Sequence, residues 1–258
     1  MKIGVLATGF NCSEYFNQVL EPWLQYKEKH GDLLISVVNT LFKENEDVQQ
    51  DDSSTLMLNA FDQKKINYLA RPHGAYDEAA TRNIALTPLL AAKVDYIILL
   101  DFDEIYTLEQ IEKIFEFVKM NPLTAWFKIH FKNFVIDTKH YVDDFVPPRI
   151  FKRKIITEND NFLIKHFYYD NDVTYSNEEK DLSYKALPSM NIPKNIAWIN
   201  HYSWCGDPVR LQQKIKYQNS HFGFCSYRWN NEQNKIELNL DFYKDYHVEI
   251  PKIYSEND

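Results

Sequence analysis

Glycine is scarce in this 258-residue chain, at 6 positions, so no glycine-rich loop is available to wrap a phosphate in backbone amides. Cysteine is scarcer still. Cys12, Cys205 and Cys225 make an odd number with no close C-x-x-C pair, which argues against a disulfide framework and for a reducing cytoplasm. No stretch approaches the roughly 18 apolar residues of a membrane span, and the opening MKIGVLATGF lacks the apolar core of a signal peptide. Positive charge is also in short supply. Lys and Arg number 29 against 37 Asp and Glu, a net charge of −8, which disfavours a broad nucleic-acid footprint. Any diphosphate bound here needs positive charge supplied locally, by a divalent ion and one or two arginines.

What remains is ordinary in bulk: 45% hydrophobic and 26% charged residues, in a chain long enough to bury a core. Aromatics are abundant, with 17 Tyr, 17 Phe and 5 Trp, enough for some to line a cleft. Apolar runs at 3–8, 33–41, 66–69 and 94–100 read as strands. Helical periodicity falls between them: 14–29, with Ser13 as cap, then 55–64, 75–91, and a helix to Met120 capped by Thr107. This alternation predicts an α/β fold with a mostly parallel central sheet and helices on both faces. Beyond residue 120 the pattern predicts strands at 125–136 and 197–204, a helix at 208–222, and a partly ordered acidic and aromatic tail. One domain covering 1–258 is expected, with halves at 1–105 and 106–230 and a tail at 231–258.

The string VDYIILLDFDE, residues 94–104, carries the chemistry. Side chains two apart on a strand share a face, so Asp101 and Asp103 are expected to point together. Two carboxylates about 4 Å apart repel by roughly 4 kcal/mol at a surface-like dielectric. A cation between them, or a proton on one, relieves that repulsion. Hard oxygen donors suit Mg²⁺ or Mn²⁺ completed by substrate phosphates. The plainer reading is a pair of solvated acids at a strand end.

Several strings together resemble glycosyltransferases of the GT-A fold, in particular the family 2 group. Within that group the chain is similar to small bacteriophage-encoded enzymes and, more loosely, to lipopolysaccharide-core sugar transferases. The strings are VLATGFNCSEYFNQVLEPWL, ISVVNTLF, HGAYDEAATRNIAL, DFDE, and the pair PPRIFKR and INHYSW, spread over residues 1–225. The resemblance implies a metal-dependent transfer of a sugar from a nucleotide-diphosphate donor, UDP-sugars favoured, to an acceptor glycan, protein or modified nucleobase. It implies that Thr8 and Asn11 sit in the loop that cups the base. Asn39 stands where an acidic pair usually contacts base or ribose. Gly74, Arg82 and Asn83 match the segment before the acidic strand, with Arg82 offered to diphosphate oxygens or to the acids. Asp101 contacts ribose or metal, Asp103 binds metal, Glu104 orients them, and His201 is a third metal ligand. Arg149 supports the leaving diphosphate or a loop, and the helix after INHYSW matches through Lys214 and Lys216.

An inverting displacement also needs a carboxylate base. The chain departs from the family pattern here, with Tyr184 and Lys185 where an acid is usual. Asp172 and Asp144 are the candidates carried forward, ahead of Asp170 and Asp143, and a retaining mechanism stays open. Trp204 and Tyr202 are expected to stack on a sugar. Lys128, Lys132, Lys152, Arg153, Lys154 and Lys165 are candidates for a local basic edge. Two other readings stand beside this one. A GT-A-like module that binds glycan or nucleotide without turnover is one. A nucleotidyltransferase is the other, although GVLATGFN lacks its glycine-rich signature.

Overall fold

The structure, a computed structural model, describes residues 1–39, 41–42, 51–70, 75–76, 78–154, 188–223, 225–245, 247 and 250–256. In the first part strands and helices alternate. They are β1 (Ile3–Gly9), α1 (Phe16–His30), β2 (Leu33–Asn39), β3 (Leu41–Phe42), α2 (Ser53–Asp62), β4 (Tyr68–Ala70), β5 (Ala75–Tyr76), α3 (Glu78–Ala91), β6 (Tyr96–Asp101), β7 (Glu104–Ile105) and α4 (Leu108–Met120). Next come β8 (Trp126–Lys128), β9 (His130–Val135), β10 (His140–Phe145), β11 (Pro148–Lys152), β12 (Ser189–Asn191) and β13 (Trp198–Trp204). The last elements are α5 (Pro208–Phe222), β14 (Tyr227–Asn230), β15 (Lys235–Leu238), α6 (Leu240–Asp245) and β16 (Tyr254–Ser255).

The central sheet has seven strands in the order β12-β8-β11-β6-β1-β2-β4. Its β6-β1-β2-β4 half is parallel throughout, and β11 runs antiparallel to both of its neighbours. Alternation along each strand sorts the core into two layers. Val5, Ala7, Ile35, Val37, Ile98 and Leu100 pack with Trp23 of α1, Met57 of α2 and Phe115 of α4. Leu6, Val38, Ile97 and Leu99 face Ala85, Leu86 and Leu89 of α3. Trp23 is fully buried, edge-on to Tyr106 at 5.2 Å and to Phe115 at 6.4 Å. Cutting it to alanine removes a contact worth about 3–5 kcal/mol.

A second sheet of five strands, β16-β10-β9-β13-β7, stands against the first. Two of the links between them are neighbouring ribbons. The expected single strand 125–136 breaks at Ile129, whose amide bonds to the Pro147 carbonyl at 3.1 Å. Its first part, β8, stays in the central sheet and its second, β9, enters the other. The return path does the same through Pro147, from β10 to β11. A hydrophobic pattern read along one chain cannot show that its two halves serve different sheets.

Other boundaries moved for local reasons. Helix α1 starts at Phe16, and its cap position is Tyr15 without a side-chain cap; the Ser13 amide bonds instead to Asp51 Oδ2 at 2.9 Å. The segment predicted as the start of α3 holds β5, paired with β3. Thr107 does cap α4, in a reciprocal box with Gln110. Part of the expected tail is built in, since β16 pairs with β10 and α6 precedes it. Among the described residues no helix is long and apolar enough to cross a membrane.

Candidate functional site

The acidic turn lies on the seam between the two sheets. Strand β6 ends at Asp101, opposite Thr8 in register, and the Phe102 amide bonds to the Thr8 carbonyl at 3.2 Å. The chain then turns and joins the second sheet as β7, with His201 paired to Glu104. The Tyr202 amide fixes the turn by bonding to the Asp103 carbonyl at 2.8 Å. Gly9 sits beside it. A Cβ there would stand 2.7 Å from both Cys12 Sγ and Phe102 Cδ2, so only glycine lets β1 pass this close. Strand alternation ends at Asp101, and the two aspartates serve different partners.

Asp101 is locked. Its Oδ1 accepts from Thr8 Oγ1 at 2.8 Å and from Arg82 Nη2 at 2.9 Å, and its Oδ2 faces Arg149 Nη2 at 3.4 Å. Arg82 Nη1 also donates to Thr8 Oγ1 at 3.0 Å. Glu104 has no exposure, and its Oε1 accepts from Arg149 Nε at 2.9 Å and Nη2 at 2.5 Å. Burial pushes the Glu104 carboxyl up to about 8 against the pull of Arg149. Both arginines are 3% exposed. The Arg149 guanidinium lies over the Phe131 ring at 5.1 Å. Of the two roles read for Arg82, the contact observed is the one toward the acids, at Asp101. Arg149 pairs with Glu104 and Asp101 and also donates to the Pro148 carbonyl at 3.3 Å.

Asp103 is open. His201 Nε2 stands 3.5 Å from Oδ1, and Arg210 Nη1 and Lys214 Nζ stand 3.6 and 3.9 Å from Oδ2. These gaps exceed the roughly 2.7–2.9 Å of a closed charge-assisted bond. Burial pushes the Asp103 carboxyl up, but His201, Lys214 and Arg210 outweigh it and hold the group well below the usual carboxylate range. Burial lowers His201 despite Asp103, so the imidazole is neutral near pH 7. It packs on Phe131 at 5.1 Å and Phe145 at 5.8 Å, rather than among the tryptophans on its strand.

Arg210 was missed in the sequence, and Lys214 was noted without a role. They lie four residues apart on α5, hence on one helix face. Arg210 Nη2 donates to the carbonyls of Tyr202 at 2.8 Å and Cys205 at 2.5 Å, and its guanidinium lies 5.5 Å from the Tyr15 ring. Lys214 Nζ bonds Ser203 Oγ and sits 4.9 Å over the Trp204 ring. The available signal was the R-x-x-x-K spacing directly after the INHYSW strand.

The remaining expectations divide. Asn39 pairs in register with Gly9, and its amide bonds Ser54 Oγ. Asn11 has φ 47°; its Oδ1 accepts the Asp51 amide at 3.0 Å and its Nδ2 meets Gln213 Oε1 at 3.4 Å. Thr8 is spent on Asp101 and Arg82. Asn83 Oδ1 is buried and has no hydrogen-bond partner among the described residues. Gly74 and Asp172 lie outside the described residues, as do Asp170, Tyr184 and Lys185. Asp144 lies on β10, its side chain outside the description, and neighbouring Asp143 pairs with Lys194. The rings expected to stack on a sugar are taken by the protein. Tyr202 is sandwiched by Tyr15 at 5.3 Å and Phe134 at 4.7 Å, and Trp204 packs on Tyr227 at 4.4 Å. In the basic edge, Lys132 is tied to Glu256 at 2.9 Å.

Among the described residues no three His, Cys, Asp or Glu side chains gather as a cage. Asp101 is turned toward two arginines. Asp103 Oδ1 and neutral His201 Nε2 do fit as two ligands of one ion, completed by substrate phosphates and water.

No protein-family model and no curated sequence matches the chain. Solved structures match in shape. A mannosyltransferase from Pyrobaculum calidifontis, solved with GDP-Man and Mn²⁺, superposes with a TM-score of 0.50 at 10% identity, over 87% of this chain and 65% of that one. Residues 1–349 of S. aureus TarS match at a TM-score of 0.47 and 14% identity over 62% of this chain. The same fragment bound to UDP-GlcNAc matches at 0.47 and 15%. The chain spans about half the length of that TarS fragment (49%). The class of the molecule follows from sheet order and match together: a mixed α/β protein of the GT-A type.

Proposed function

We propose that this chain is a glycosyltransferase that moves a sugar from a nucleotide-diphosphate donor to an acceptor. The observation that carries the reading is the open cluster of Asp103, His201, Arg210 and Lys214 at the C-terminal ends of parallel strands, where ligands of such sheets bind. A divalent ion, Mn²⁺ or Mg²⁺, fits at Asp103 and His201 and would supply Lewis-acid charge to the departing diphosphate. Asp103 carries the negative charge for this, and His201 stays neutral because it is buried. The locked ions keep the turn rigid, so these groups need no reorganisation as charge develops. Thr8, Asn11 and Asn39 lie at the strand ends where base and ribose would sit, and Asn83 is carried on α3. The acceptor proton goes to a carboxylate in an inverting displacement, with Asp172 and Asp144 as the assigned candidates. The acceptor is a glycan, a protein or a modified nucleobase, met in the cytoplasm.

Incubation with UDP-sugars and then GDP-mannose, with Mn²⁺ or Mg²⁺, tests the reading through slow release of free sugar. No turnover and no binding of any sugar nucleotide would remove it in favour of a glycan-binding module. Asp172→Asn and Asp144→Asn, compared once an acceptor is found, separate the base from a bystander. Loss of transfer with retained donor binding marks the base.

A further inference from the structure

We infer that Arg210 and Lys214, one turn apart on α5, hold the diphosphate of the donor directly, so that the site binds a nucleoside diphosphate with no divalent ion present. The inference rests on the glycosyltransferase reading and deepens it.

The charge count comes first. Arg82 and Arg149 are both taken up by contacts with Asp101 and Glu104. Among the described residues Asp103 alone forms ion pairs with both Arg210 and Lys214. Two cations against one anion leave a surplus of one positive charge at the open cluster, in a chain whose net charge is −8. Local positive charge of this kind is what a diphosphate requires.

Geometry adds to the count. The two cations do not close on Asp103 as Arg149 closes on Glu104. They stand at 3.6 and 3.9 Å, while that pair meets at 2.5 and 2.9 Å. Something other than the carboxylate holds them off. For Arg210 it is two backbone carbonyls, Tyr202 and Cys205, which take Nη2 and set the plane of the guanidinium. The Nη1 edge is left turned toward Asp103. For Lys214 it is the Ser203 hydroxyl and the Trp204 ring. Both cations are thus anchored from behind by neutral groups and present their charge forward. A planar guanidinium beside an ammonium suits adjacent phosphate groups, the fork gripping one and the point charge the other. Had their purpose been only to neutralise Asp103, one closed pair would have sufficed.

The test is calorimetric titration of UDP and GDP into the whole chain in EDTA, repeated with Mn²⁺. The parent chain is expected to bind in EDTA. Arg210→Gln and Lys214→Met are each expected to weaken that binding by about tenfold or more, and Lys214→Arg to keep it within about threefold. Thermal unfolding confirms that each variant is folded, and if Arg210→Gln is not, the two Lys214 variants decide alone. Binding that vanishes in EDTA yet persists with Mn²⁺ overturns the inference and leaves the glycosyltransferase reading standing. Equal affinity in parent and variants overturns it too. No binding of either nucleotide under either condition sinks both.

Discussion

Asp101 and Glu104 sit in a closed ion network, with every contact to Arg82 and Arg149 at 3.4 Å or less, whereas Asp103, between them in sequence, has three partners that all stop at 3.5 Å or beyond. Contact distance, not exposure, makes the division: Glu104 is sealed, while Asp101 at 21% and Asp103 at 16% are similarly exposed. A closed buried network of charges adds little net stability but is costly to break. It can define one conformation of a turn. An open cluster of charges held in place by that turn can instead exchange partners with a ligand. One acidic string therefore contains a part that builds the site and a part that uses it.

The sharpest way to break this contrast is Arg149→Met. It leaves Glu104 buried without its partner, and urea unfolding should show a loss of about 3–5 kcal/mol. Adding Glu104→Met to the same chain should return most of that loss. A single variant as stable as its parent would mean the network locks nothing. The matching change on the open side is Asp103→Asn. Release of sugar from the donor should fall by about 10²-fold or more, with a stability change far smaller than that of Arg149→Met. The reverse pattern, stability lost and turnover kept, would exchange the two roles.

A smaller effect is expected at Gly206, which links β13 to α5 with φ 96°. A Cβ there would meet the Tyr15 hydroxyl and Glu14 Oε2. Gly206→Val should cost about 1–3 kcal/mol and weaken nucleotide binding, because α5 carries Arg210 and Lys214. Unchanged affinity would show that α5 is not held by this turn. Smallest is a pH effect from His201. Burial lowers its folded pKa below the ordinary value of about 6.5, so between those values the unfolded chain binds a proton that the folded chain refuses. Stability should decline as pH falls through that window, by no more than about 1.4 kcal/mol per unit. His201→Gln should flatten that part of the curve, and an unchanged slope would assign the titration elsewhere.

The strand–helix order of the first 120 residues was legible because both periodicities are local. The Thr107 cap and the helix over Pro208–Phe222 were legible for the same reason. Ser13 failed as a cap because its hydroxyl, the group that would accept from the helix amides, bonds to Asp51 along with its own amide. The strand at 125–136 failed because its break depends on Pro147, in a neighbouring ribbon. In the site, Asp101 and Asp103 were singled out together, but alternation placed them on one face. That rule holds only while the strand continues, and β6 ends at Asp101. Arg210 carried no local signal beyond its spacing to Lys214.

By itself the sequence determined the main strand–helix alternation of the first half and put three carboxylates at the end of a buried strand, since both are matters of near neighbours. Which carboxylate is sealed and which stays available was decided only by folding. Arg149 arrives 45 residues after Glu104 in the chain, α5 arrives more than 100 residues after Asp103, and spacing within DFDE holds no information about either. Charge acts through space, and the chain had to close its two sheets before those charges had partners.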